Sequence, residues 1–426
     1  MKVYIETYGC TFNQADSELI ANALHNGGIE TCSSEEEAEV VLMNTCTVKG
    51  ATQNRITYKL MNLEKQGRKM LVTGCMAGAN SDIIEKYAPS ASIARIQNIA
   101  EMPSAVKAIS NGHRSVYLEE RKTDRISFYN APGSVIAKIP LSDGCLSSCS
   151  FCETKFARGA LNSFSEQGIL NAISYSVRKG SKEIELTAQD TGAYGIDKGT
   201  NIAQLLKRAC EIEGDFRIRV GMLNPEHMHR YMDELIEALQ NPHAYKFMHL
   251  PLQSGSNKVL ASMRRGYTVE EYLDIVKSLR EHVKNITIET DIIVGFPGET
   301  DEDFEETINV ISEFRPEVTN MSRFAARPHA LASRMPRLSD QAIKERSMKL
   351  SRMVRSMQAY ANRLLIGRSV DVLLTEENDA SINGRDDSYR QIVIPKTGMH
   401  EKPAVGSRVR ATIYNATSNA LYGRIN

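Results

Sequence analysis

Three cysteines, Cys145, Cys149 and Cys152, fall within eight residues of the stretch DGCLSSCSFCETKFARG (143–159), spaced C-x3-C-x2-C. A closed tetrahedral zinc site takes four ligands, usually as two close pairs. Three thiolates on one tight loop suit three irons of a [4Fe–4S] cube, with the fourth iron left to a ligand that is not protein. A Cys3His zinc site or a set of buried thiols is the competing reading. Three further cysteines, Cys10, Cys46 and Cys75, each follow a β-rich run: VYIETYG, VVLMNT and MLVTG. They are too far apart in sequence for a local metal loop. If their strands are neighbours in a parallel sheet, however, the thiols meet at the edge where open α/β folds bind ligands. That predicts a second site with three ligands and one open iron, against the alternative of three unrelated buried thiols. Cys32, in a polar loop, and Cys210, in a helical pattern, are given no role.

The elements that must position these thiols can be read from periodicity. Runs at 3–9, 39–44 and 70–74 alternate with helical segments near 15–27, 51–66 and 81–87, which predicts a small parallel α/β domain over residues 1–110. Alternation restarts after about 134. Apolar runs at 135–141, 183–187, 216–221, 246–252, 286–295 and 317–324 are separated by helical patterns. Ser163 with Glu166, Thr268 with Glu271 and Thr300 with Asp303 read as helix starts. Six strands with their crossovers predict a partial (β/α)6 TIM-like barrel over 131–330, with chemistry at the C-terminal strand ends. A basic linker helix is expected at 331–362. Short strands with Gly and Asn turns then predict a small all-β module over 363–426.

The chain has 426 residues, 52 basic and 52 acidic, with 42% hydrophobic and 24% charged residues, an ordinary globular composition. No run approaches the ~20 apolar residues of a membrane span, and the N-terminus lacks a signal-length apolar core. A cytoplasmic protein with no membrane contact is expected, and in a reducing compartment clustered cysteines argue for metal or catalysis before disulfides. Because net charge is zero, nucleic-acid affinity must be local. Residues 321–360 carry nine Lys/Arg against two Asp/Glu. Arg323, Arg327, Arg334 and Arg337 are the first candidates for phosphate contact; a solvated helix face is the bland reading. The segment from 363 onward holds nine basic and seven acidic residues, so shape and backbone contacts are expected there. Thr187, Gln189 and Asp190 follow the second barrel strand, and Asn224, Gln253 and Ser254 follow later ones; all could line one cavity, or simply form turns. Glu289 and Asp291 alternate with apolar neighbours on the fifth strand. GFPGE (295–299) reads as a turn into the helix capped by Thr300 rather than a phosphate loop.

C-x3-C-x2-C at the first strand of a six-unit barrel resembles the radical S-adenosylmethionine (SAM) superfamily. With YGCTFNQADSE, NTCTV and VTGCMA in the first domain and LPLQSGSNKVL and TDIIVGFPGET in the barrel, the whole chain resembles the methylthiotransferases, and its last strands resemble the TRAM RNA-binding module. The resemblance implies two [4Fe–4S] clusters: one on Cys145, Cys149 and Cys152, whose open iron binds SAM, and one on Cys10, Cys46 and Cys75, which carries sulfur. Thr187, Gln189, Asp190, Asn224, Gln253 and Ser254 are then candidates for SAM contact. The implied reaction replaces a C–H bond with C–S–CH3 and consumes two SAM molecules, one giving its methyl, the other split to methionine and 5′-deoxyadenosine. An electron donor protein and a sulfur source are implied partners, with tRNA. CETKFARGALNSFS, TAQDTGAYGIDKGTNI and GMLNPEH are most similar to the branch acting on N6-threonylcarbamoyladenosine at position 37 of tRNA. Bacterial-type members more often have Pro before the Arg-Gly pair and Arg after the following Ser; here Ala157 and Phe164 stand there, which argues against the alternatives, isopentenyladenosine of tRNA or a ribosomal-protein aspartate. The eukaryotic form carries a membrane tail, and the chain's end at Asn426 without one leads to the expectation of a soluble enzyme. A zinc-stabilised RNA-binding protein without catalysis is the alternative of a different class.

Overall fold

A computed structural model describes residues 1–47, 50–399 and 401–426. The first sheet contains β1 (Lys2–Thr7), β2 (Glu30–Cys32), β3 (Val40–Thr45), β4 (Met70–Gly74), β5 (Ser92–Ala94) and β6 (Val116–Tyr117). All pairs are parallel, in the order β2-β1-β3-β4-β5-β6. Every residue of β3 and β4 is buried, as for strands covered on both faces. Val41 and Met43 join one apolar core while Val40 and Leu42 join another, so successive side chains feed opposite layers. β1, β3 and β4 are contiguous, the arrangement the three separated cysteines require. Cys32 lies in β2, an edge strand, where a loop was expected. β5 and β6, at three and two residues, carry too little pattern to read, and β6 extends the sheet past residue 110.

The second unit begins with β7 (Ile136–Pro140), β8 (Ser142–Asp143) and β9 (Asn162–Ser163), followed by β10 (Glu183–Thr187), β11 (Arg217–Val220), β12 (Phe247–His249), β13 (Thr287–Val294) and β14 (Val318–Arg323). Parallel sheets β7-β10-β11 and β12-β13-β14 are joined by a parallel bridge between Ile218 and Ala244 and by Leu223 N donating to His249 O at 2.9 Å. Six parallel strands in sequence order make the partial barrel. Thr268 with Glu271 and Thr300 with Asp303 form complete capping boxes, each worth about 1 kcal/mol. Ser163 does not cap a helix. It lies in β9 paired with β8, its hydroxyl accepts from Gly195 N, and Ser165 precedes the helix Glu166–Arg178 instead. A tertiary partner overrides the local signal there.

The third unit is a closed barrel of β15 (Ser369–Glu377), β16 (Ser381–Arg385), β17 (Gln391–Pro395), β18 (Arg408–Ala416) and β19 (Leu421–Ile425), in the order β15-β16-β17-β19-β18. β19 runs antiparallel to β18 and parallel to β17. Val372, Leu374, Ile382, Ile392, Ile394 and Ile413 fill its interior. A 24-residue helix, Asp340–Arg363, capped by Ser339, leads into it; the expected start at 331 is a short 3-10 turn, Leu331–Arg334. The module is tied to the central barrel by Arg217–Asp387 at 3.1 Å, by Tyr389 Oη donating to Glu185 at 2.8 Å, and by Lys246 N donating to Asp387 O at 2.8 Å. Among the described residues, no helix is long and apolar enough to cross a membrane.

Candidate functional site

Cys10 is the N-cap of the helix Thr11–Asn26, Cys46 follows β3, and Cys75 opens the helix Cys75–Ala79 directly after β4. The registers Thr7–Asn44 and Thr45–Gly74 set these strand ends side by side. Gly9, at φ +117°, has no room for a side chain: a Cβ there would stand 2.9 Å from the Cys46 Cβ and 3.1 Å from its sulfur. Burial pushes the Cys75 thiol up to about 11, opposed by the Arg158 guanidinium, with Cys46 and Cys10 close enough to add their own charge. Three convergent thiols at one sheet edge fit a cube. No three His, Cys, Asp or Glu side chains among the described residues are arranged around a single ion; in a cube each thiolate takes its own iron.

The second set grows from β8. Gly144, at φ +74°, lets the chain turn where a Cβ would meet Ala160 O at 2.2 Å. Cys145 N donates to Gly159 O at 3.3 Å, and Cys152 N donates to Cys149 O at 3.2 Å, which closes the loop. Ser150 pins it to the barrel, N to Met263 O at 3.0 Å and Oγ to Ser262 O at 2.8 Å. Burial pushes the Cys145 thiol up to about 12, with Asp190 and the other two sulfurs adding to it. Arg265 Nη1 lies 3.3 Å from Cys149 Sγ, while its Nη2 donates to Asn224 Oδ1 at 2.6 Å. Asn224 Nδ2 in turn donates to Ser147 Oγ and Glu226, both at 3.0 Å. Arg265, Ser147 and Glu226 went unread in the sequence, because a lone Arg or Glu in a loop has no periodic signature.

The polar candidates divide. Thr187 ends β10, buried. Asp190 shapes its own turn, accepting from Gly192 N and Asn224 N, both at 2.9 Å, and burial raises its carboxyl. Ser254 is fully buried and turned to Thr307, 3.4 Å away, so the structure does not bring it to the others. Gln189 Oε1, Gln253 Oε1 and the Glu153 Oε2 beside Cys152 are buried acceptors with no hydrogen-bond partner. Such orphans cost on the order of 1–3 kcal/mol each, which a ligand's donors would offset. Asp291 pairs with His249 at 2.9 Å, and Asn320 donates to both Glu289 and Asp291.

A cavity of about 960 Å³ opens between the three units. Thr47 reaches it from the first sheet, Cys152, Gln253 and Asp291 from the barrel, Arg355 from the long helix and Asn419 from the β-module. Its volume is at the upper end for small-molecule sites. Arg323 and Arg327 line it. Arg323 Nε donates to Ser347 Oγ at 3.0 Å, and Arg327 is buried with Gln53 3.4 Å away. Arg334 and Arg337 are exposed outside the lining.

The radical SAM superfamily matches residues 139–311 and an uncharacterised protein family, UPF0004, matches residues 2–94. A probable threonylcarbamoyladenosine tRNA methylthiotransferase of Pyrococcus abyssi is 39% identical over 430 residues, covering 100% of this chain and 99% of its own. The threonylcarbamoyladenosine tRNA methylthiotransferase of Homo sapiens is 33% identical over 436 residues, covering 99% and 74%. Among solved structures, the radical SAM methyltransferase TsrM from Kitasatospora setae superposes with a TM-score of 0.58 over 78% of this chain and 75% of that one, at 13% identity, a likeness of fold alone.

Proposed function

We infer the reaction from one premise: the chain belongs to the threonylcarbamoyladenosine tRNA methylthiotransferases, a family of radical SAM enzymes. It converts N6-threonylcarbamoyladenosine at position 37 of tRNA to the 2-methylthio derivative. The observation that carries this reading is a shared cavity: Cys152 and Thr47, the neighbour of Cys46, line the same space, so both three-thiol sites adjoin the room a nucleoside would occupy.

Cys145, Cys149 and Cys152 would hold a [4Fe–4S] cluster with SAM, and Cys10, Cys46 and Cys75 a second cluster. Once bound, these groups supply the electron that cleaves SAM to a radical and the sulfur to be inserted. The protein's own residues do the positioning. Gln189, Gln253 and Glu153 offer unmet acceptors, Arg265 and Asn224 brace the second loop, and Arg323, Arg327 and Arg355 supply positive charge where the tRNA backbone passes. The β-module closes the far wall through Asn419. An electron donor protein and a sulfur source complete the cycle.

Anaerobic purification should give a brown protein with about eight irons per chain; a colourless zinc protein would overturn the reading. Mass spectrometry of tRNA nucleosides from a strain lacking the gene tests the substrate. The 2-methylthio-threonylcarbamoyladenosine signal should vanish, and an unchanged level would reject the assignment.

A further inference from the structure

Arg158 belongs to the Arg-Gly pair of the second cysteine segment, yet its guanidinium points into the first site. Its Nε lies 3.3 Å from Cys75 Sγ and its Nη2 lies 3.0 Å from Asn13 Oδ1 and 2.7 Å from Asp16 Oδ2. Asp16 also takes Arg125 Nη1 at 2.7 Å. Arg125 then grips Asp143 through two bonds of 2.6 Å, and Asp143 lies 3.7 Å from Arg158 Nη1. All four charged side chains are essentially inaccessible to solvent. Phe12 floors the group, its ring centre 4.9 Å from the Arg158 guanidinium.

This four-charge network joins three parts of the chain: Asp16 from the first domain, Arg125 from the connection, and Asp143 and Arg158 from either side of the second cysteine loop. Asp143 stands two residues before Cys145, so one network abuts both cysteine sets. Stability alone is a weak reason to keep it, since buried ion pairs are often matched by apolar residues of similar volume. A latch between domains would also need only Arg125, which holds Asp16 and Asp143 by itself. The second arginine adds one thing a latch does not need, an N–H aimed at sulfur.

We propose that Arg158 is the positioning residue of the sulfur-carrying site, donating a hydrogen bond to the Cys75 thiolate and thereby setting the reduction potential of the cluster held there. The inference rests on the reading that Cys10, Cys46 and Cys75 bind such a cluster. Two arginines and two aspartates cancel in formal charge, but the Arg158 guanidinium is the member that touches the sulfur, so its charge and its hydrogen bond both act on Cys75. A donor to a ligating sulfur stabilises the reduced, more negative cluster and raises its potential. The network fixes the donor, because each of its carboxylates is itself tied down by Arg125.

The test uses the full chain with Cys145, Cys149 and Cys152 changed to Ala, so that iron enters only the first site, and reads the potential by electron paramagnetic resonance in a poised redox titration. Arg158→Lys keeps the charge beside Asp16 but loses the fork that reaches sulfur as well. Should that variant fold poorly, Arg158→Met with Asp16→Asn removes one charge of each sign together. Either is expected to retain about four irons and to shift the potential to more negative values, whereas Arg125→Lys, which touches no sulfur, should shift it clearly less. Four irons at an unchanged potential in the Arg158 variants would overturn the inference alone, as would an equal shift on Arg125→Lys, which would mark the network as merely structural. A background protein that binds no iron would overturn the cluster reading and this inference with it.

Discussion

Each thiol set has one arginine 3.3 Å from one of its sulfurs, Arg158 at Cys75 and Arg265 at Cys149. Cys145, Cys149 and Cys152 could be found in the sequence from their close spacing, and Cys10, Cys46 and Cys75 because each follows a β-rich run. Their arginines could not. Arg158 meets Asn13 across 145 positions and Arg125 meets Asp16 across 109, and no local pattern encodes such a pairing. The strongest expectation at this scale concerns Arg125. Changing Arg125 to Leu strands the Asp143 carboxylate in a dry site, and breaking a buried pair in this way costs about 3–5 kcal/mol. Urea unfolding should register a loss of that order, much of it recovered when Asp143 is changed to Asn in the same chain.

Among elements, the contact that brings the two thiol sets together is between two five-residue helices, Cys75–Ala79 and Thr154–Arg158. They approach so closely that a Cβ on Gly78 would stand 2.1 Å from the Ala157 carbonyl oxygen. Gly78→Ala must therefore push backbone from backbone. The expected cost is about 1–3 kcal/mol, together with a fall in iron retained at Cys75, measurable by iron analysis after desalting. The sequence signalled strands and long helices but not these short ones, whose existence depends on the packing they make. A second element-level expectation concerns Glu183, at the start of β10. Burial pushes its carboxyl from 4.5 up to about 7, against the hydrogen bond from Tyr245. The folded chain therefore binds this proton more tightly than the unfolded one. The stability it contributes is full below about 4.5 and is lost as pH rises through about 7. Glu183→Gln should remove that loss, gaining on the order of 2–3 kcal/mol over the parent at pH 8 and little at acid pH, as read from urea midpoints at both.

At the scale of the whole molecule, a neutral chain carries a basic stretch over residues 321–360, part of which faces the cavity between the three units. The basic stretch was legible from composition; which arginines face the cavity was not, because that depends on the end of β14, on the path of the segment after it and on how the helix Asp340–Arg363 packs against them. Arg323 and Arg355 line the cavity, while Arg334 and Arg337 do not. Changing Arg323 or Arg355 to Gln should weaken tRNA binding and flatten the slope of log affinity against log salt by about 1 for each phosphate no longer neutralised, whereas Arg334→Gln and Arg337→Gln should have smaller effects. Filter binding across a salt series reads both.

The strand order of the C-terminal barrel has a consequence for how the protein is made. β19 lies between β17 and β18 and bonds to both, so the barrel cannot seal until its final strand arrives. Until synthesis of residues 421–425 is complete, two neighbouring strands present bare amides and carbonyls to the cell, the kind of edge that recruits other chains. A chain cut short before β19 would thus be sticky, with the closure of its C-terminal barrel missing, while the two cysteine-bearing domains upstream are already fully synthesised.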